Sequence, residues 1–204
     1  MQERPKDLTA SAVKVHNANK RKWGWEKPRP KIELLILFQS ELYEALEAVR
    51  KDKIYIKEDH MSALNFLIRK ATTIGQSTKQ EVKDYCLRYH NYYSNFVKHS
   101  LQDEIADSII RLLDYAGSRD IELKYDDTKE YIEAKKEYGD FIDILQDLVC
   151  ATTFLFDMVV NIEEISDLIG YLVRFAEFND IDIWLHVDMK LFYNLIGPKP
   201  QKKF

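Results

Sequence analysis

Hydrophobic residues recur every three or four positions along most of this chain. Within residues 31–51 the recurring positions are Leu35, Phe38, Leu42, Leu46 and Val49. Within residues 101–116 they are Ile105, Ile109, Leu112 and Ala116. Because this spacing places side chains on one face of an α-helix, both segments are predicted to be amphipathic helices with one face in a protein core.

The same periodicity extends over other segments. It predicts helices within residues 60–75, 77–100, 127–160, 161–180 and 182–197. Ser77 and Gln80 have the spacing of a capping box at a helix start, while Gly75 and Gly117 are of the residue type that ends helices. Residues 121–125 are the one stretch considered as a short strand. The pattern as a whole predicts an all-α fold.

The composition agrees with uninterrupted helices packed as a helical bundle. Of the 204 residues, 46% are hydrophobic and 31% are charged, with only 6 glycines and 5 prolines. No proline lies between residues 31 and 197, and a proline-free interior favours long helices. We therefore expect a single all-α domain over residues 1–204, with one helical unit in 31–127 and a second in 128–204 that includes the basic tail.

Residues 102–123 and 162–183 are similar to each other without gaps. Both contain E-I-x-D, then a stripe of Ile and Leu, then D-I before an acidic residue, at a period of 60. Amphipathic helices can match in this way by chance. An internal, degenerate duplication and a coincidence therefore both stay open.

Charge and cysteine usage restrict the function classes. The formal net charge of -4 argues against a general nucleic-acid binder, which usually carries a basic surplus. No run of 18 apolar residues and no signal-peptide pattern occurs. Cys86 and Cys150 lack C-x-x-C spacing, which favours a reduced chain. The expectation is a cytoplasmic protein that binds neither nucleic acid nor membrane.

Two acidic patterns are candidates for chemistry. Glu41 and Glu44 lie at the edge of the first apolar stripe. In the 101–116 helix the charged face consists of Asp103, Glu104, Asp107, Arg111 and Asp114. Periodicity alone favours a solvated face with an Asp107–Arg111 pair. The alternative is a metal site, because two carboxylate pairs on neighbouring helices offer the oxygen ligands that Mg²⁺ prefers.

Lys190 and Asn194 lie one turn apart on the last predicted helix, ahead of a lysine-rich tail. A lysine and an amide on one face can bind phosphate oxygens. A basic end that keeps the protein soluble is the simpler interpretation, and spacing alone favours it.

Three blocks of sequence, taken in order, resemble the MazG-like branch of the all-α nucleoside triphosphate pyrophosphohydrolases. The blocks are "WGWEKPR" with "SELYEALEAVR", then "EIADSIIRLLDYAGSRDIEL", then "HVDMKLFYNLIGPKPQKKF". They contain the E-x-x-E of Glu41 and Glu44 and the E-x-x-D of Glu104 and Asp107. The resemblance covers about half of the chain and favours the metal site.

The resemblance implies an enzyme that hydrolyses nucleoside triphosphates to the monophosphate and pyrophosphate in a nucleotide-pool or house-cleaning role. It implies Mg²⁺ as cofactor, with Mn²⁺ as the alternative ion. The implied metal ligands are Glu41, Glu44, Glu104 and Asp107. Glu44 is also the residue to which we assign proton transfer from the attacking water. A homodimer is the expected assembly.

The remaining implied residues contact the substrate. Lys190 and Asn194 would position the phosphate chain and are counted with Glu44 as catalytic. Trp25 would stack on the base. Lys199 and Lys202 would contact phosphate.

Two departures from the family pattern keep alternatives open. Residues 45–103 separate Glu44 from Glu104, far more than the short family loop, and Gly197 stands where the family has an arginine. One alternative is a non-catalytic helical binding or structural protein derived from this fold. The other is a relative of the dUTPase or dCTPase type that differs in base selection.

Overall fold

The computed structural model describes residues 7–23, 30–53, 58–72, 78–124, 149–150 and 162–197. These residues contain seven full helices and no strand, which confirms the all-α prediction. The helices are α1 (Leu8–Trp23), α2 (Lys31–Arg50), α3 (Glu58–Thr72), α4 (Lys79–Phe96), α5 (Leu101–Gly117), α6 (Ile162–Phe178) and α7 (Ile183–Ile196). Most of the predicted 127–160 helix lies outside the described residues, as does the division at 127/128.

Helix α5 is the centre of the fold. It packs against α1, α2, α6 and α7, and 13 of its 17 residues are buried. Its apolar residues share one core with residues of those four helices. Because these helices enclose most of α5, the predicted solvated acidic face is wrong for Asp103, Glu104 and Asp114, which are all buried.

The end of α5 is formed differently from the prediction. Gly117 is the last residue of α5, as expected for the helix end, but it is not left-handed; it allows a close approach to α1, because a Cβ there would lie 2.7 Å from the carbonyl carbon of Ala12. Asp120 instead adopts the left-handed conformation, with φ 53°. The amide of Ile121 donates to the carbonyl of Ala116 at 3.0 Å, which is the helix-closing bond of a Schellman motif.

Helix α6 ends in the same way, 60 residues later. Asp180 has φ 56°, and the amide of Ile181 donates to the carbonyl of Ala176 at 2.8 Å. These positions follow those of α5 by the period found in the sequence. The similarity of residues 102–123 and 162–183 therefore extends to the backbone geometry of the helix ends.

Helices α3 and α4 form a second, smaller core with α7. Its buried residues are Leu64, Tyr89, Tyr93, Val97 and Met189. The hydroxyl of Tyr89 donates to the carbonyl of Met189 at 2.8 Å and joins α4 to α7. Among the described residues, no helix combines the length and apolar composition that a membrane crossing requires.

Helix boundaries differ from the predicted signals by small shifts. The capping box of α4 is formed by Thr78 and Glu81, one residue after the predicted pair, whose Ser77 lies outside the described residues. Gly75 also lies outside them. Residues 121–124 are irregular, so the strand considered for 121–125 is absent from its described part.

Candidate metal centre

The two predicted carboxylate pairs meet between α2 and α5. Glu41, Glu104 and Asp107 each present an oxygen, and the three oxygens lie within 4.8 Å of one another. Glu44 belongs to a second group that shares Glu104. In it, ligand atoms of Glu44, Glu104 and His99 also lie within 4.8 Å of one another. All four carboxylates named by the E-x-x-E and E-x-x-D motifs are thus brought together.

The four carboxylates differ in exposure. Glu41 and Glu104 are buried, at 6% and 2% relative exposure. Asp107 retains 14% exposure of its side chain, while the side chain of Glu44 is 52% exposed. The site therefore has a buried side, formed by carboxylates of α2 and α5, and an open side at Glu44.

Two permanently charged side chains, Arg111 and Lys190, contact the carboxylates on the buried side of the site. Arg111 donates from Nη2 and Nε to the same oxygen of Glu41, at 2.9 and 3.1 Å. The buried Lys190 of α7 lies 2.7 Å from a carboxylate oxygen of Asp107 and 2.7 Å from one of Asp103. The hydrogen-bond partner of Arg111 is thus Glu41 of α2, whereas the sequence predicted Asp107, one turn earlier on the same helix.

Asp103 is a member of the site that sequence reasoning did not identify. It is fully buried and accepts hydrogen bonds from the hydroxyl of Tyr93 at 2.6 Å and from Lys190. Its second oxygen accepts from the backbone amide of His99 at 3.0 Å. Asp103 thereby ties α4, α5 and α7 to one point. Together with the four motif carboxylates it forms what we call the acidic cluster.

His99 was also missed, because it belongs to neither acidic motif. It lies in the short connection between α4 and α5, with a left-handed φ of 63°. Its Nδ1 lies 3.1 Å from Oε1 of Glu104 and 3.6 Å from Oε2 of Glu44. Histidine is among the residues that tolerate this backbone region. The imidazole therefore bridges the two glutamates at the open side.

Burial and mutual repulsion raise the affinity of the cluster for protons. Burial, followed by the neighbouring Asp103, raises the pKa of Glu104 to about 9. Burial likewise raises the pKa of Asp107 and of Glu41 above their ordinary values. Burial alone would lower the pKa of Lys190, but the carboxylates of Asp107 and Asp103 outweigh it and raise that pKa. With a pKa of about 9, Glu104 holds a proton at neutral pH that a cation could replace.

The acidic cluster fits a divalent cation by its chemistry. Its five carboxylates face two permanent cations, Lys190 and Arg111. When all are ionised, three negative charges are in excess. Carboxylate oxygens are the ligands that Mg²⁺ and Mn²⁺ take in proteins, and a bound cation relieves the repulsion that raises the pKa of Glu104.

Of the remaining predicted site residues, Lys190 and Asn194 are described by the structure and three others are not. Lys190 is in the site, but its ammonium contacts carboxylates on both sides. Asn194 lies one turn later on α7, and its backbone carbonyl accepts a hydrogen bond from the ammonium of Lys22. The predicted contacts that lie outside the described residues are Trp25, Lys199 and Lys202.

No protein-family model, no curated protein and no solved structure matches this chain.

Proposed function

We propose that this chain is a divalent-cation-dependent nucleoside triphosphate pyrophosphohydrolase, which converts a nucleoside triphosphate and water to the monophosphate and pyrophosphate. The observation that supports it is that Glu41, Glu44, Glu104 and Asp107, two pairs from distant parts of the chain, fall into two adjoining groups of ligand atoms that share Glu104. The resemblance of the three sequence blocks supports the reaction type. A cytoplasmic role in the nucleotide pool, as a homodimer, belongs to the same proposal.

The four motif carboxylates would hold Mg²⁺, or Mn²⁺ as the alternative. When bound, the ion supplies charge neutralisation on phosphate oxygens and a lowered pKa of bound water. The chain's own contribution is orientation. Arg111 fixes one oxygen of Glu41, and Lys190 fixes one oxygen of Asp107, in the way that outer hydrogen bonds orient metal ligands.

Glu44 is the residue best placed to accept a proton. Its side chain is half exposed, whereas Glu41 and Glu104 are enclosed by the fold. A water molecule can reach Glu44 from solvent, and a proton taken there can leave to solvent by the same route. We therefore keep the assignment of proton transfer to Glu44.

The contacts of Lys190 sharpen its role. Its ammonium is buried between Asp103 and Asp107, so its nearest task is to hold Asp107 in place. Asn194, one turn further along α7, would then provide the contacts to phosphate together with Lys199 and Lys202. Trp25 keeps its proposed role in stacking on the base.

The test measures Mg²⁺-dependent release of pyrophosphate from a panel of canonical and modified nucleoside triphosphates. Glu41→Gln is expected to lower kcat/KM on the order of 100-fold, because it removes a charged ligand. Glu47→Gln is the matched control, since Glu47 lies on the same helix but is exposed and pairs with Lys51. Absence of pyrophosphate release from every nucleotide by the unaltered protein would overturn the proposal. The panel also decides whether dUTP or dCTP is preferred.

A non-catalytic helical protein is the second candidate, and the contacts of Lys190 favour it. An ammonium 2.7 Å from both Asp103 and Asp107 neutralises part of the cluster without a metal. In that case the cluster is a buried ion-pair network that specifies the packing of α7 on α5. Mg²⁺ would then leave the melting temperature of the protein unchanged, whereas a ligand that binds only the folded state raises it.

A further inference from the structure

We infer that His99, Glu44 and Glu104 form a second cation site, which takes ions that accept an imidazole nitrogen, such as Zn²⁺ and Co²⁺. The inference rests on the proposed binding of cations by the acidic cluster and extends it. His99 belongs to neither E-x-x-E nor E-x-x-D, and a nitrogen ligand changes which ions the cluster selects. Imidazole suits Zn²⁺ and its neighbours, whereas Mg²⁺ prefers oxygen.

The distances between the three side chains agree with a tetrahedral ion. Ligand atoms about 2.1 Å from a tetrahedral ion lie about 3.4 Å from each other. Nδ1 of His99 lies 3.1 Å from Oε1 of Glu104 and 3.6 Å from Oε2 of Glu44, which brackets that spacing. All three ligand atoms lie within 4.8 Å of one another. One ion can therefore contact all three after small side-chain adjustments, with water as the fourth ligand.

The backbone holds the imidazole in this position. The amide of His99 donates to Asp103 at 3.0 Å, and Ser100 caps α5 by accepting from the amide of Asp103 at 3.2 Å. The side chains of His99 and Glu44 are 57% and 52% exposed. An ion can thus enter from solvent and meet a ligand set that is already assembled.

The other cations of the cluster do not compete for this site. Lys190 contacts Asp103 and Asp107, and Arg111 contacts Glu41. Within the described part of the chain, His99 is the one basic side chain in ion-pair contact with Glu44 or Glu104. An ion here meets no lysine or arginine in contact with its carboxylates, whereas an ion between Glu41 and Asp107 must share both carboxylates with Arg111 and Lys190.

The test compares binding of Co²⁺ and Zn²⁺ with binding of Mg²⁺ by the full chain. Calorimetry gives the affinities, and the visible absorption of Co²⁺ reports its ligands. His99→Gln is expected to weaken Co²⁺ and Zn²⁺ binding by roughly 10- to 100-fold and to change Mg²⁺ affinity by less than about twofold. His16→Gln is the matched control, because Nδ1 of His16 also contacts a carboxylate of α5, Asp114, at 2.8 Å, with no third candidate ligand among the residues that the structure describes.

Co²⁺ and Zn²⁺ affinities of His99→Gln within about twofold of the unaltered protein would overturn the inference. A second measurement needs no variant: one equivalent of Zn²⁺ should shift the Nδ1 resonance of His99 in protein labelled with ¹⁵N-histidine. An unshifted resonance overturns the inference even if His99→Gln fails to fold. Histidine-dependent Co²⁺ binding without pyrophosphate release refutes only the proposed function. Pyrophosphate release with histidine-independent binding refutes only the second site.

Discussion

Replacing Glu104 by glutamine exchanges one buried carboxyl group of the acidic cluster for an uncharged amide of nearly the same shape. In the folded chain, burial and the neighbouring Asp103 raise the pKa of this carboxyl from 4.5 to about 9. The unfolded chain exposes the group to water and restores its ordinary pKa. Between these two values the folded state holds a proton that the unfolded state has released.

The size of the effect follows from proton linkage. When the folded state binds one proton more than the unfolded state, the free energy of unfolding falls by about 1.4 kcal/mol for each unit of rising pH. From pH 7 to pH 8.5 the loss is about 2 kcal/mol. For a chain of this length, 1 kcal/mol shifts the melting temperature by about 2–4 °C, so the loss is about 4–8 °C. Glu104→Gln lacks this dependence.

The assay is thermal or urea unfolding of metal-free protein at several pH values from 7 to 8.5. As the pH rises, the free energy of unfolding of the unaltered protein should fall by about 2 kcal/mol relative to that of Glu104→Gln. Glu122→Gln is the control, because Glu122 is exposed and lies outside the cluster. Under the proposed function, saturating Mg²⁺ should reduce this pH-dependent loss of stability, since a bound cation replaces the proton.

If the free energies of unfolding of the unaltered protein and of Glu104→Gln change in parallel with pH, the reasoning is refuted. A parallel change would mean that Glu104 is ionised in the folded state at neutral pH, with its charge already balanced by Lys190. The raised pKa, and with it the excess negative charge of the cluster, would then be wrong.

Three further perturbations test other parts of the structure. Gly117→Ala should destabilise the protein by about 1–3 kcal/mol, because its Cβ would overlap α1. Gly170→Ala is the control: it has open space around it and should stabilise the protein by up to about 1 kcal/mol. Equal urea midpoints for the two variants would contradict this. Asp103→Ala should cost about 3–5 kcal/mol in urea unfolding, since it removes a carboxylate from a buried ion pair; a loss below about 1 kcal/mol would count against the network. Burial lowers the pKa of His186 from 6.5 to about 4, so stability should fall by about 1.4 kcal/mol per pH unit from 6.5 down to 4. His186→Leu should remove that fall, and an unchanged acid profile would disprove the assignment.

Helix positions could be predicted from the sequence because they depend on local pattern. The apolar period and the preceding Pro30 place α2 at Lys31–Arg50, one residue shorter than predicted. For α5 the periodicity identified the helix and Gly117 marked its end, but the left-handed residue that closes it is Asp120. A glycine at a helix end permits both a left-handed residue and a close approach. Only the position of α1, about 100 residues earlier, decides between them.

The burial of the acidic residues of α5 could not be read from periodicity. An amphipathic pattern predicts one buried face, but α5 is surrounded by four helices. A signal was present: Ala106, Ile110 and Leu113 extend the apolar positions of α5 beyond one stripe. A helix that is apolar around most of its circumference is enclosed. Charged residues within it then need partners.

Those partners come from distant parts of the chain. Asp103 pairs with Tyr93, ten residues away, and with Lys190, 87 residues away. A single sequence carries no signal for the Asp103–Lys190 pair, since Asp103 lies outside the three sequence blocks and nothing links it to Lys190. Helical spacing made the four motif carboxylates candidates, and the resemblance of the sequence blocks is what favoured a metal site over a solvated face. Asp103 and His99 lie outside that resemblance and required the structure.

The late position of Lys190 in the chain has a consequence for biosynthesis. Ribosomes make Asp103 and Asp107 long before the lysine that contacts them in the folded protein. A nascent chain that ends before α7 therefore has no ammonium to compensate these carboxylates, and enclosing them would leave buried charge unpaired. Helix α5 is expected to reach its enclosed position only after residue 190 has left the ribosome, and fragments that stop earlier should be substrates for chaperones and proteases.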